Sequence, residues 1–263
     1  VKVTIDATGC FNTQSRVMSD SSELPLIALS MTPNSICDPV VSGVAYNGTV
    51  TGVTTYQGAG VTDYTDYYFN LYEGTDTTGA PYGTISAAAA DFIELDSGFY
   101  TMRGYNTALG CYSDPVTIEV LEDFVFPVIT LTEQSATNCL PGLENGLLTA
   151  DAGGPLSDHT FKWVEGTDVD GADWPSVSGT ALETAESLAA GDTYTVKVTT
   201  NNSGCFRTQS RILSDSSEIP LLSLAQTPNS VCDDAIAGAF DGTITGSLNY
   251  YGNPVGDFTP FDF

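Results

Sequence analysis

Residues 1–38 match residues 196–233 without a gap, and no other feature of the chain restricts its fold as strongly. VKVT recurs as VKVT, GCFNTQSRVMSDSSELPL as GCFRTQSRILSDSSEIPL, and TPNSICD as TPNSVCD, so that about two-thirds of the aligned positions are identical. One residue is then dropped, and YNGTVTG continues as FDGTITG. A weaker copy lies halfway between. Cys111 falls where Cys10 and Cys205 fall, Cys139 falls where Cys37 and Cys232 fall, and ENGLLTA follows Cys139 as NGTVTG follows Cys37. The unit is therefore roughly 95–100 residues, the size of an Ig-type sandwich. Odd and even units differ, so the full period is two domains.

Each unit reads as strands, with short β-branched and aromatic runs alternating with polar residues between Gly, Pro, Asn and Asp. In the first complete unit the runs are PLIALSM, GTVTGVT, DYYFNLY, ADFIEL, YTMRGYN and PVTIEV. In the second they are PVITLT, GLLTADA, HTFKWVE, ALETAES, YTVKVTT and RTQSRIL. The AAAA run at 87–90 has no long apolar face beside it and is assigned to a strand and turn rather than a helix. The expected fold is all-β: tandem Ig-like β-sandwich domains in a linear array with a two-domain super-repeat. Residues 1–22 form the last hairpin of a preceding domain, 23–122 and 123–217 are complete Ig-like domains, and 218–263 are the first strands of a following one. Phe69, Leu71, Phe161 and Trp163 are expected in the cores. Tyr100 and Tyr194 stand where a tyrosine corner or an ordinary core tyrosine would.

Charge excludes one class of partner. Thirty-three Asp and Glu against seven Lys and Arg give −26, so there is no basic face for nucleic acid. Aromatic residues at 10% argue against an acidic disordered chain. No apolar run reaches the roughly 18 residues that a membrane-spanning helix needs. With one histidine, His159, Ser–His and Cys–His schemes rest on a single residue, and no enzymatic activity is expected.

The Cys–NG spacing before the second strand, the aromatic-x-Trp strand, AAG-x-TYTVKVT and the Gly-Cys turn together resemble the SprB-type repeats of Bacteroidota surface proteins. The residues that carry the match are Cys139, Asn145, Gly146, Phe161, Trp163, Ala190, Gly191, Tyr194, Gly204 and Cys205. The first complete unit departs from it, with Leu71 in place of Trp163 and DSG in place of AAG. The resemblance implies an extracellular, cell-surface location, export by type IX secretion, and filamentous or adhesive proteins, some of which capture prey or surfaces. It implies no ligand.

Three kinds of site are expected. Calcium is the candidate cofactor: Asp168, Asp170 and Asp173 surround a glycine in EGTDVDGAD, and Asp20, Glu23, Asp215 and Glu218 recur in the SDSSE junctions, where carboxylates converging on a turn hold a hard cation. Solvated turns are the competing reading. Cysteines Cys10, Cys37, Cys111, Cys139, Cys205 and Cys232 suit an oxidising compartment. Two per domain pair as Cys37–Cys111 and Cys139–Cys205; a strict Ig layout puts those turns at opposite poles and favours Cys37–Cys205 instead, and free or intermolecular cysteines are the third alternative. Asn47, Asn201 and Thr77 lie in glycosylation-type motifs. The expected partners are copies of the chain itself, as a homo-oligomer or filament. The alternatives are a glycan- or receptor-binding module using Tyr56, Tyr64 and Tyr67, and an accessory array on a secreted enzyme.

Overall fold

The computed structural model describes residues 1–19, 23–170, 183–232, 235 and 240–261. It divides into two compact units, residues 1–125 with 202–204, and residues 126–201 with 205–263.

The first unit holds β1 (Lys2–Thr4), β2 (Phe11–Thr13), β3 (Leu26–Thr32), a single helical turn α1 (Pro39–Ser42), β4 (Gly48–Tyr56), β5 (Ala59–Gly60), β6 (Tyr67–Glu73), β7 (Gly83–Ser86), β8 (Ala90–Leu95), β9 (Gly98–Asn106), β10 (Cys111–Tyr112) and β11 (Val116–Val120). β1 and β2 form a separate antiparallel hairpin. Two antiparallel sheets make a sandwich: β3-β4-β5 with β8 on β4, and β10-β9-β6-β7 with β11 on β9. Their inner faces meet in one core. Val50, Phe92 and Leu95 come from the first sheet, and Phe69, Leu71, Tyr100, Met102 and Val120 from the second. Alternation is the reason: in YYFNLYE every second side chain of β6 is buried, as the pleat of a half-buried strand requires.

The second unit holds β12 (Thr130–Gln134), β13 (Gly146–Asp151), β14 (His159–Glu165), β15 (Thr184–Leu188), β16 (Thr193–Thr200), β17 (Phe206–Ile212), β18 (Leu221–Thr227), β19 (Thr243–Tyr250) and β20 (Asn253–Pro254). Sheets β12-β13-β15 and β14-β16-β17 form a second sandwich, and β18-β19-β20 a further sheet. Trp163, Tyr194, Leu148, Leu188, Val196 and Leu213 fill the second core. Phe69, Leu71, Phe161 and Trp163 are all buried.

The two sandwiches share details that bind their sheets. The Tyr100 hydroxyl donates to the Asp96 carbonyl at 3.2 Å, and that of Tyr194 donates to the Ala189 carbonyl at 3.4 Å and accepts from the Ala189 amide at 2.9 Å. Both are tyrosine corners, with the ring in the core and the hydroxyl on upstream backbone. Buried Thr101 and Thr195 each donate to a glycine carbonyl, Gly74 at 2.8 Å and Gly166 at 2.5 Å. A register shift opposite Gly48 in β4 and Gly146 in β13 brings the ends of β8 and β15 over these glycines. A Cβ on Gly48 would lie 2.5 Å from the Leu95 carbonyl oxygen, which is why a glycine stands there.

Ala87–Ala90 forms no helix, and Ala90 opens β8. Several short elements were not expected from the sequence, among them the edge strand β7 and the turn α1. The second has a legible cause, since Asp38 caps it by accepting from the Val40 and Val41 amides and Pro39 is its first residue.

Candidate functional site at the cysteine-bearing pole

Each sandwich carries a cysteine just beyond its first strand, and the backbone there is held by a repeated arrangement. After β3, Asn34 is fully buried. Its side-chain amide donates to the Ile36 carbonyl at 3.0 Å and to Asp96 at 3.1 Å, while its oxygen accepts from the Ile36 and Asn47 amides at 3.0 and 3.3 Å. Its main chain makes a parallel bridge to Glu122, donating to Leu121 O at 2.9 Å and accepting from Asp123 N at 2.8 Å. After β12 the same bridge joins Ala136 to Asp215, and Asn145 accepts from the Thr137 amide at 2.9 Å as Asn47 accepts from that of Ser35 at 2.8 Å. After β18, Asn229 repeats Asn34, donating to Val231 O at 2.6 Å and accepting from Asp241 N at 2.9 Å. Cys37, Cys139 and Cys232 leave these arrangements at equivalent places.

The other three cysteines sit on hairpin turns of one design. Gly9, Gly110 and Gly204 have φ of 69°, 69° and 70°, and each precedes its cysteine. The Ile5 amide donates to Cys10 O at 2.7 Å, and Thr200 to Cys205 O at 2.8 Å.

In the first unit, residues 202–204 lie against the Cys37 pole. The Cys37 and Asp38 amides donate to the Ser203 carbonyl at 2.8 and 3.2 Å. Gly204 comes so close that a Cβ would be 2.5 Å from Asp38 O. In the second unit, Cys139 borders an open hollow of about 400 Å³, lined also by Leu140, Glu144, Ala189, Ala190 and Asp215. The Gly142 amide donates to Glu144, and backbone donors of this kind hold the Glu144 carboxyl below its ordinary value.

Cys37 and Cys205 are disulfide-bonded. Cys10, Cys111, Cys139 and Cys232 are free thiols. The expected bridges Cys37–Cys111 and Cys139–Cys205 are therefore not formed, and the pairing of Cys10 or Cys232 with another described cysteine is not formed either. Strand length gives the reason. Cys111 pairs with Asn106 at one end of β9, while Val120, at the Cys37 pole, pairs with Gly98 at the other. Eight residue steps of strand separate the two by about 26 Å, whereas bridged Cα atoms lie within about 7 Å. In the second sandwich β16 separates Cys205 from the Cys139 pole in the same way.

Asp168 accepts from the Asp170 amide at 3.1 Å and Asp215 from the Ser217 amide at 2.7 Å, the hydrogen bonding of a closed Asx turn. Glu23 and Glu218 are in non-strand segments. Asp20 and Asp173 lie outside the described residues. Among the described residues no three His, Cys, Asp or Glu side chains are grouped as metal ligands. Of the glycan-type asparagines, Asn47 donates to Ser35 at 2.9 Å and Asn201 to the Ser157 carbonyl at 3.0 Å. His159 lies 3.2 Å from the Pro155 carbonyl.

The aromatic set expected on a binding loop is relocated. Tyr67 is 7% exposed, and its ring and that of Tyr64 pack against Phe69. The ring cluster that faces away from the core is Tyr68, Tyr105 and Tyr112, with centroids 4.9 and 4.3 Å apart in sequence and Arg103 stacked on Tyr112 at 4.3 Å. Strand alternation from Phe69 and Asn106 places them there, a signal present in the sequence but hidden among thirteen tyrosines.

Fold and pole together define an all-β protein of tandem sandwiches with repeated cysteine-bearing ends. No family model matches the chain, and no curated protein does. Among solved structures it is similar to domains 7, 8 and 9 of the S-layer protein SbsC, with 11% identity and a TM-score of 0.30 over 71% of this chain and 58% of that one. It is also similar to Tp47, the 47-kilodalton lipoprotein of Treponema pallidum, with 11% identity and a TM-score of 0.23 over 78% of this chain and 55% of that one. The chain thus spans less than two thirds of either, and at these scores neither likeness carries an argument. No described helix is long and apolar enough to cross a membrane.

Proposed function

We propose that the chain is a structural repeat segment of an extracellular filament or giant cell-surface adhesin, which attaches to or captures its target mechanically rather than by catalysis. The observation that carries this reading is the exact recurrence of register. Leu26–Thr32 pairs with Thr49–Thr55, and Leu221–Thr227 with Thr243–Asn249, each pair ending in a threonine–threonine hydroxyl bond, Thr32 to Thr49 and Thr227 to Thr243. A ligand site is selected at one place in a chain; repetition of a whole module is what a spacer requires. Pulling single molecules tests it, with a reductant present to open the disulfide at Cys37 and Cys205, which would otherwise keep the residues between them from extending. Successive force peaks spaced by the contour of about 95 residues, some 300 Å, are expected, and unfolding without resolvable force peaks overturns it. Calcium bound at the acidic junctions belongs to the same proposal; a melting temperature identical in calcium and in excess EGTA removes it.

A second reading, a carbohydrate-binding module, is supported by the Tyr68–Tyr105–Tyr112 cluster with Arg103 on the outer face of the sheet, where the exposed Tyr112 offers an amphipathic ring to a sugar. Quenching of tyrosine fluorescence by soluble glycans, lost in Tyr112→Ala, is its test.

A further inference from the structure

We propose that Tyr68 and Tyr112 form a covalent cross-linking site, at which hydrogen peroxide and a haem peroxidase join the two rings as a dityrosine within one chain. The inference goes beyond both readings above and depends on neither.

Register brings the two rings together. Tyr68 in β6 and Tyr112 in β10 are each paired with Tyr105 in β9, from opposite sides. Two ladder steps put their backbones about 10 Å apart. The side chains close that gap. Their ring centroids lie 4.9 and 4.3 Å from that of Tyr105, and the hydroxyls of Tyr68 and Tyr112 meet at 3.3 Å. In an ortho-linked biphenol the coupled Cε atoms stand beside hydroxyls that are themselves neighbours, so the structure already holds the arrangement of the product. Arg103 fixes one half of it, with its guanidinium 4.3 Å from the Tyr112 centroid and its Nε donating to the Ser113 carbonyl at 3.3 Å. The hydrogen bond to Tyr112, ahead of burial, pushes the Tyr68 hydroxyl up to about 12 from 10.0.

The fold does not require these phenols. The second sandwich has Thr160, Thr199 and Phe206 in the same register, with Lys197 stacked on Phe206 at 4.1 Å as Arg103 is on Tyr112. A ring after the cysteine and a cation on it are common to both sandwiches, whereas phenols that meet belong to the first. The position is also accessible. Tyr112 is 42% exposed, and Phe206, which follows a disulfide-bonded cysteine, is 47% exposed, so bonding of the neighbouring cysteine leaves a ring there open.

The peroxidase takes one electron and one proton from each hydroxyl. The two phenoxyl radicals couple through one Cε of each ring, forming a carbon–carbon bond, and the hydrogen on each coupled carbon moves to that ring's oxygen. The phenols lose two protons and two electrons in all, and the peroxide takes them up as two molecules of water. The bond ties β10 to β6 across β9, so the edge hairpin cannot peel from the sheet.

The test mixes equal amounts of unlabelled and 15N-labelled chain, blocks free thiols with iodoacetamide, and adds horseradish peroxidase with hydrogen peroxide. The product is reduced before digestion, so that carbon–carbon links alone remain. Trypsin cuts at Arg103 and parts Tyr68 from Tyr112, and cleavage at Asp66, Glu73 and Glu119 narrows the partners to residues 67–73 and 104–119. A linked pair of these peptides, lighter by two hydrogens and of single label, is expected, with fragmentation placing the bond on Tyr68 and Tyr112. Tyr68→Phe and Tyr112→Phe keep the rings and should each lose the linked pair and most of the dityrosine fluorescence, while Tyr105→Phe keeps both. No link, links of mixed label, a bond placed on other tyrosines, or a yield undiminished in Tyr112→Phe overturns the proposal. A chain that gives the repeated force peaks but no link loses this inference alone, and one that gives the link but no force peaks loses only the mechanical reading.

Discussion

The hydroxyl of Tyr194 stands between the amide and the carbonyl of Ala189, accepting from the first at 2.9 Å and donating to the second at 3.4 Å. Both backbone groups precede β16, where no ladder partner takes them, and the ring itself is 1% exposed. Tyr194→Phe keeps the packing and leaves these groups without the hydroxyl. A loss of about 1–2 kcal/mol is expected, read as a lower urea midpoint by tryptophan fluorescence. Trp163, buried in the same core as Tyr194, reports on that sandwich.

Asn34 and Ala136 hold the same place in successive sandwiches, yet only Asn34 uses its side chain to fix the turn. Asn34→Ala strips the Ile36 amide of its acceptor and removes the donor from Asp96. Because the site is fully buried, the cost should be about 1–3 kcal/mol. Faster hydrogen exchange at the Ile36 and Asn47 amides, with the Thr137 amide unchanged, is the expected signature.

Gly48 has no room for a methyl group. A Cβ would stand 2.5 Å from Leu95 O and 2.8 Å from Val120 Cγ1, and at Gly146 it would stand 2.7 Å from Leu188 O. Gly48→Ala and Gly146→Ala should each lower stability by about 1–3 kcal/mol or more. Gly60→Ala, in β5 with nothing within 4 Å, is the matched control and should leave the thermal midpoint where it was.

Burial, ahead of the charges of Tyr82, Glu73 and Asp96, pushes the Tyr100 hydroxyl up to about 12 from 10.0. The sign follows from linkage. The unfolded chain releases this proton first, so the stability contributed is complete below pH 10 and is lost between pH 10 and about 12. Tyr100→Phe should flatten that part of a melting-temperature profile, with tyrosinate absorbance near 295 nm following the same titration.

The strand order of both sandwiches was legible because alternation and turn residues are local signals. GTVTGVT and YTVKVTT can bury one face only as strands, and a period of about 95 residues is the size of one sandwich. The core rings Phe69 and Trp163 followed from register in the same way, whereas Tyr100 and Tyr194 were legible as core tyrosines or corners and the structure decided for corners. The edge strand β7 and the bulges over Gly48 and Gly146 were not legible, since they depend on how one strand ends across another.

The sequence by itself determined that the chain is a repeating all-β array with a cysteine at each end of every unit. Spacing along a strand is a property of the chain. Which cysteines are bonded and which are thiols, and which tyrosines are buried, was decided only by the tertiary structure. Cys37 and Cys111 lie in one domain, but β9 holds their poles apart, and Tyr67 and Tyr68 are neighbours in sequence that the pleat sends to opposite faces. Distances across a sandwich depend on which strands pair, and a count of residues between two cysteines does not carry that.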